Sequence, residues 1–197
     1  FRSHQKGKGC LNMNLKTKYM GLELKNPVVA SSGPIGASVG GLRRLEDAGV
    51  AAVVLPSLFE EQVEHEKQEL DYFLHYGAER FAESLTYYPE PQEYHFASDR
   101  YLEHIGKARA SVDIPVIASL NGVSVSGWMD FAQKMEEAGA SGLELNVYFL
   151  PTNPEVAAEQ VQNVYLEALK AVKANVSIPV AMKLSPYFSA PAWMATQ

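Results

Sequence analysis

Five short apolar runs recur along the chain and predict its architecture. They are rich in Val, Ile and Ala, and they span residues 27–31, 51–55, 114–120, 142–146 and 178–184. Runs that are continuous rather than alternating are typical of strands buried on both faces of a parallel sheet. Between them, apolar residues at three- and four-residue spacing predict helices over 38–48, 125–138 and 154–174. Strands that alternate with helices indicate an α/β fold.

Two internal repeats make this prediction more specific. LEDAGVAAVVL (45–55) resembles MEEAGASGLEL (135–145), and SVDIPVIASL (111–120) resembles NVSIPVAMKL (175–184). Each Ala-Gly pair places a glycine just after a helix, and each Ile-Pro pair places a proline at a strand entrance. No G-x-G-x-x-G motif follows a predicted strand. The pattern therefore favours a (β/α)8 TIM barrel, of which this chain supplies about five of the eight βα units.

The chain is expected to divide into a short leader and one barrel domain. We interpret residues 1–12 as a non-native or disordered leader, and residues 13–197 as the N-terminal portion of the barrel. Residues 59–98 interrupt the strand and helix pattern with a charged stretch and an aromatic, proline-bearing loop. Such insertions often cover an active site or form a contact between subunits, so a homodimer is plausible. A merely solvated segment is the alternative.

Composition and charge exclude several classes of partner. The net charge of −6 and the pI near 5.4 argue against nucleic acid and anionic membrane surfaces, which bind clustered Lys and Arg. No apolar run reaches the length of a membrane span and no secretory signal is recognisable, so a cytoplasmic protein without a membrane contact is expected. The single cysteine and the spacing of the histidines favour no metal site. A small-molecule partner fits best.

Polar and small residues occur where the predicted strands end. Barrel enzymes bind ligands at the carboxyl ends of their strands. The candidates at these ends are Ala30, Ser31, Gly33, Ser57, Ser119, Asn121, Asn146 and Lys183. Asn146, Asn121 and Ser119 offer neutral donors and acceptors that match the carbonyl and N–H edges of a ring, although an asparagine at a strand end also commonly forms a turn.

Lys183 lies inside an apolar run, where a lysine must face a polar cavity or lose its charge. Two functional interpretations follow. The lysine could be a cation that stabilises the reduced, negative ring of a flavin, or an imine-forming nucleophile of a lyase. A side chain that simply extends into solvent at the strand end is the third interpretation.

Four motifs together resemble the dihydroorotate dehydrogenase family, which comprises FMN-dependent (β/α)8 barrels that oxidise dihydroorotate to orotate in pyrimidine biosynthesis. The motifs are KNPVVASSGP (25–34), PVIASLNG (115–122), ELN (144–146) and MKLSPYF (182–188), and the resemblance extends from about Met13 to the end. It implies a bound FMN and a dihydroorotate-like substrate. It places Asn146 and Lys183 in the catalytic site, and it implies a flavin ring lined by Ala30, Ser31, Gly33, Ser57, Asn146 and Lys183.

The sequence departs from the family pattern on the substrate side. In the family, a Cys or Ser shortly after the strand-four asparagine takes a proton from the substrate while hydride passes to the flavin. The corresponding position here is Phe149, which cannot accept a proton. A family lysine near strand two is replaced by Leu55 or Pro56, and the substrate-binding N-S-M-G motif has no counterpart near 83–85. A flavin oxidoreductase, a lyase that uses Lys183 and a non-catalytic flavin-binding barrel therefore remain open.

Overall fold

The computed structural model describes residues 13–75, 97–122, 125–147 and 149–197. The expected leader, the greater part of the expected insertion and the region near 83–85 lie outside the described residues. Within the described part of the chain, no helix is both long and apolar enough to cross a membrane.

A small antiparallel hairpin, which the sequence patterns did not predict, precedes the main sheet. It consists of β1 (Thr17–Tyr19) and β2 (Leu22–Leu24). Met20 and Gly21 join the two strands, and both have positive φ, at 54° and 80°. Positive φ at both central residues is typical of the two-residue hairpin turns that match the twist of the flanking strands.

The main sheet has five parallel strands, and their spatial order is their order in the chain. The strands are β3 (Val29–Ala30), β4 (Ala52–Phe59), β5 (Val116–Gly122), β6 (Gly142–Val147) and β7 (Val180–Lys183). The helices are α1 (Val39–Asp47), α2 (Glu60–His75), α3 (Ala97–Ser111), α4 (Val125–Glu137), α5 (Ala158–Asn175) and the short α6 (Pro191–Met194). The sheet curls with helices between its strands, so the predicted fold class, a partial TIM barrel, is confirmed.

Two further elements differ from the prediction. Strand β4 does not end at Leu55 but continues through Pro56 to Phe59, and helix α2 follows it directly. Helix α3 was not predicted, because the apolar face that it buries is narrow and consists mainly of Ile105 and Ala108.

The repeated Ala-Gly pairs form the same helix end twice. Gly49 follows α1 with φ of 95°, and Gly139 follows α4 with φ of 98°. In both places the glycine N–H and the next N–H donate to carbonyls of the last helical turn. This arrangement satisfies carbonyls that would otherwise lack a donor at the helix terminus. The prediction that each of these glycines lies just after a helix is confirmed.

The repeats also share a contact between each helix and a later strand entrance. The Glu46 carboxylate accepts hydrogen bonds from the N–H groups of Asp113 (2.8 Å) and Ile114 (3.2 Å). At the equivalent position, the Glu136 carboxylate accepts from the N–H of Ser177 at 3.0 Å and from its hydroxyl. Each glutamate thus fixes the turn that leads into an Ile-Pro strand entrance, so the sequence repeat corresponds to a repeated tertiary contact.

The two faces of the sheet have different chemistry. The outer face packs against the helices through fully apolar side chains, namely Val53, Leu55, Val116, Ala118, Leu120, Leu143 and Leu145. On the inner face, Ala52, Val54 and Ile117 are covered near the strand entrances by Leu24 of the hairpin. Side chains alternate along a strand, so the next inner positions towards the carboxyl ends belong to Ser57, Ser119, Asn121, Glu144, Asn146 and Lys183.

Candidate functional site

Three of the predicted residues meet in one hydrogen-bonded cluster across β4, β5 and β6. The hydroxyl oxygens of Ser57 and Ser119 lie 2.8 Å apart. The Asn146 amide nitrogen donates to Ser119 Oγ at 2.9 Å and to Ser57 Oγ at 3.4 Å. Ser119 is fully buried, so it can act on a ligand only by orienting Asn146.

The remaining hydrogen-bonding capacity of this cluster can be counted. Both amide hydrogens of Asn146 are directed to the serines, so its carbonyl oxygen stays available as an acceptor. One serine hydrogen bridges the two hydroxyls. Because Ser119 is fully buried, the donor available to a ligand is the Ser57 hydroxyl, with Ser119 donating to Ser57. One acceptor beside one donor matches a ring edge that carries N–H and C=O.

The cluster depends on an irregularity in β4 that the sequence analysis missed. The register between β4 and β5 shifts between Val54 and Ser57, around Pro56, which has no N–H to donate. Tyr101 of α3 fills the break, since its hydroxyl donates to Ser119 O (3.1 Å) and accepts from Ser119 N–H (2.9 Å). Burial raises the pKa of the Tyr101 phenol, which keeps the hydroxyl protonated. The bridge therefore satisfies both backbone groups of Ser119 at the break.

Lys183 forms an ion pair with a carboxylate that was not predicted as a site residue. Its ammonium lies 2.6 Å from Glu144 Oε1, and the side chains are 57% and 9% exposed. That oxygen is buried and has no other hydrogen-bond donor among the described residues. One signal in the sequence could have identified Glu144, because it precedes Asn146 by two positions and so occupies the same face of β6.

A cavity of about 190 Å³ opens beside Asn146 and Lys183 at the carboxyl ends of β6 and β7. Its lining is mostly apolar and includes Phe149, Leu150, Leu184, Pro186 and Tyr187.

Tyr165 of α5 closes this cavity on its buried side. Its ring packs edge-on against Phe188, with the ring centroids 5.0 Å apart. Burial raises the pKa of the Tyr165 phenol, and a hydrogen bond with the backbone of Phe149 partly opposes this rise. Phe149 lines the same cavity, so the position expected to hold the catalytic base lies at the cavity wall. Tyr148, a conceivable replacement, lies outside the described residues.

The other predicted residues lie outside this hydrogen-bonded cluster, each in a different environment. Ser31 lines a second cavity of about 410 Å³, between the hairpin and the sheet, which Glu144 and Lys183 also line. Ala30 packs against the helix-side core, so only its backbone is available to a ligand. Gly33 has an extended backbone, and a Cβ built there would meet only Ser31 O, at 3.7 Å.

Asn121 occupies the position on β5 that pairs in register with Asn146. Among the described residues, no three or more His, Cys, Asp or Glu side chains lie together as metal ligands would.

Comparison with known proteins gives two sequence relatives and several structural neighbours. The chain is 33% identical over 178 residues to the dihydroorotate dehydrogenase B (NAD(+)) catalytic subunit of Methanocaldococcus jannaschii, which covers 87% of this chain and 54% of that protein. It is 30% identical over 168 residues to the same subunit of Methanosarcina acetivorans, covering 84% of this chain and 51% of that protein. The chain thus spans about half the length of these curated relatives. No protein-family model matches it.

Solved structures resemble the fold alone. The structure of PhdJ bound to a substrate intermediate superposes with a TM-score of 0.50 at 14% identity, over 86% of this chain and 49% of that one. A dihydrodipicolinate synthase from Agrobacterium tumefaciens superposes with a TM-score of 0.48 at 16% identity, over 82% and 46% of the two chains.

Proposed function

We propose that the protein is an FMN-dependent oxidoreductase of the dihydroorotate dehydrogenase type, acting on a CH–CH bond of a dihydroorotate-like ring. The observation that carries this proposal is the cluster of Ser57, Ser119 and Asn146 next to the cation Lys183 at the carboxyl ends of the strands. The sequence similarity to two dihydroorotate dehydrogenase B catalytic subunits supports it.

The chemistry of these residues fits a flavin ring. The ring presents carbonyl and N–H groups along one edge, and the cluster leaves one acceptor and one donor free to meet such an edge. When bound, FMN supplies the hydride acceptor of the reaction. Lys183, while still paired with Glu144, would place a charge-assisted hydrogen-bond donor at the ring, and Ser31 and Gly33 would line it. We propose Asn146 and Lys183 as the residues that contact both the flavin and the substrate.

Phe149 defines how this site differs from the resembled family. Its side chain lines the cavity at the position expected for a proton-accepting Cys or Ser. Loss of a general base typically reduces a rate by about 10²- to 10⁴-fold. We therefore expect slow turnover of dihydroorotate itself, with the proton leaving to solvent or to a group outside the described residues.

The lyase interpretation of Lys183 is less well supported. Formation of an imine requires an amine that is free to attack a carbonyl carbon, whereas the Lys183 nitrogen lies 2.6 Å from Glu144 Oε1 in an ion pair. Borohydride reduction in the presence of pyruvate tests this directly, since covalent labelling of Lys183 would support the lyase.

The decisive experiment measures flavin binding and flavin reduction separately. The protein is titrated with FMN and followed by the visible absorbance of bound flavin, and dihydroorotate is then added without oxygen. We expect binding that Lys183→Met weakens about tenfold or more, because one charge-assisted contact is lost. Lys170→Met, at an exposed position of α5, is the matched control.

Slow bleaching on addition of dihydroorotate is the expected result for the wild-type protein. Bound flavin that no dihydropyrimidine reduces would favour the non-catalytic barrel, and a protein that binds no FMN would overturn the proposal.

A further inference from the structure

We infer that the substrate of this site is a neutral ring that carries an apolar substituent, in place of a ring that carries a carboxylate. This inference rests on the proposed function and names its substrate class. It follows from the charge balance and the lining of the cavity beside Asn146 and Lys183.

The cavity offers no uncompensated positive charge to an acidic substituent. Lys183 is the one charged side chain among the described residues that line it. Its ammonium already neutralises Glu144, a buried carboxylate without another donor at Oε1. A substrate carboxylate that took Lys183 for itself would leave Glu144 buried and unpaired, and it would place two like charges beside one cation. An acidic substituent is therefore disfavoured.

The apolar wall is suited to a hydrophobic substituent. Phe149, Leu150 and Tyr187 are 41%, 67% and 87% exposed. Together they leave a contiguous apolar lining open to solvent, and such a lining commonly marks a binding site. The edge-on packing of Tyr165 against Phe188 fixes the base of this wall. The wall is thus formed before a ligand arrives.

The polar end of the cavity determines which kind of ring can bind there. The serine hydroxyls orient Asn146, which keeps an amide acceptor for an N–H group. A ligand that satisfies both ends carries an N–H of a cyclic amide at Asn146 and an uncharged apolar group against Phe149.

Two ligands with one ring test this inference. Orotate carries a carboxylate at position 6 of uracil, and 6-phenyluracil carries a phenyl group at the same position. With the FMN-supplemented protein in a calorimeter, we expect 6-phenyluracil to bind about tenfold or more tightly than orotate, because the phenyl group is buried against the apolar wall. Equal binding, tighter binding of orotate or binding of neither ligand would overturn the inference.

Two substitutions of Phe149 test whether the apolar wall causes the preference for 6-phenyluracil over orotate. Phe149→Ser removes the apolar surface, and we expect it to abolish most of the preference for 6-phenyluracil. Phe149→Leu keeps an apolar side chain, and we expect it to retain most of the preference. Because Phe149 is partly exposed, both variants should fold, which thermal unfolding verifies. Equal loss of preference in both folded variants would contradict the assignment.

The test of ligand preference can fail or succeed independently of the test of FMN binding. A protein that binds no FMN but prefers 6-phenyluracil would support the cavity's preference and overturn the flavin proposal. A protein that binds FMN but prefers orotate would support the flavin proposal and overturn the cavity's preference.

Discussion

The unit that leads into β4 and the unit that leads into β6 can be compared contact by contact. Both helices end on a left-handed glycine, at Gly49 and Gly139. Val53 of β4 donates its N–H to the carbonyl of Pro115 at 3.0 Å, and the equivalent Leu143 of β6 donates to the carbonyl of Pro179 at 2.9 Å. The amino-terminal halves of the two strands are therefore set in register by the same kind of bond.

The carboxyl-terminal halves of the same strands diverge. Strand β4 is interrupted at Pro56 and delivers Ser57, whereas β6 continues regularly and delivers Glu144 and Asn146. In barrels the amino-terminal end of the sheet serves stability and the carboxyl-terminal end carries function. The comparison shows this division inside a single repeat: contacts that stabilise the fold recur, and residues that can bind a ligand do not.

The largest expected effect on stability comes from a substitution in the amino-terminal half of the strand, which the two units share. Leu143 is fully buried between the sheet and the helices, so Leu143→Ala should reduce the free energy of unfolding by about 2–5 kcal/mol through lost burial and a cavity. Asn146→Ala, at the other end of the same strand, should cost about 1 kcal/mol or less. Urea unfolding of both variants measures these two losses. A similar loss of free energy of unfolding in both would mean that the carboxyl-terminal end of the strand is as important for stability as the amino-terminal end.

An intermediate effect is expected where the two strands differ. Tyr101→Phe leaves the N–H and C=O of Ser119 without their partner at the break in β4, and we expect a loss of about 1–3 kcal/mol. The control is Tyr19→Phe, because the Tyr19 hydroxyl makes no hydrogen bond with the described residues and its side chain is partly exposed. An unchanged urea midpoint for Tyr101→Phe would show that water replaces the bridge.

The smallest effect concerns the repeated glutamate contact. The hydrogen bond from the Ser177 hydroxyl is the main cause that lowers the pKa of Glu136 from its ordinary value of 4.5. The ionised form is thus favoured in the folded protein, so its stabilisation is complete above that value and is lost as the pH falls through the lowered pKa.

Because the carboxylate is exposed, Glu136→Gln should cost only about 0.5 kcal/mol at neutral pH. The difference from wild type should shrink in acid, as thermal unfolding at neutral pH and near pH ~3 would show. Glu46→Gln is the matched variant in the other repeat. A difference that stays constant with pH would contradict the role of the charge.

Local signals account for what could be predicted of the fold. Gly49 and Gly139 end helices because glycine adopts positive φ without strain, and this preference is visible in the sequence. The prediction was wrong next to Pro56, because the apolar run was expected to end the strand at Leu55. Strand β4 continues because Tyr101, distant in the chain, supplies the hydrogen bonds that the break leaves open.

The sequence allowed the polar residues of the site to be predicted, but not the contacts among them. Asn146 and Lys183 stand out as polar residues in apolar strands, and their flavin-binding role stays a prediction. The ion pair of Lys183 could not be predicted, because it depends on the register that places Glu144 on the neighbouring strand.

The sequence by itself determined which segments become strands of the main sheet, which helices end on glycine and which strands begin after proline, because these features depend on neighbouring residues. The tertiary structure alone decided that Ser119 orients Asn146, that Tyr101 bridges a broken ladder and that Glu144 neutralises Lys183. Each of these contacts joins segments far apart in the chain, so it exists only when strand register and helix packing are established.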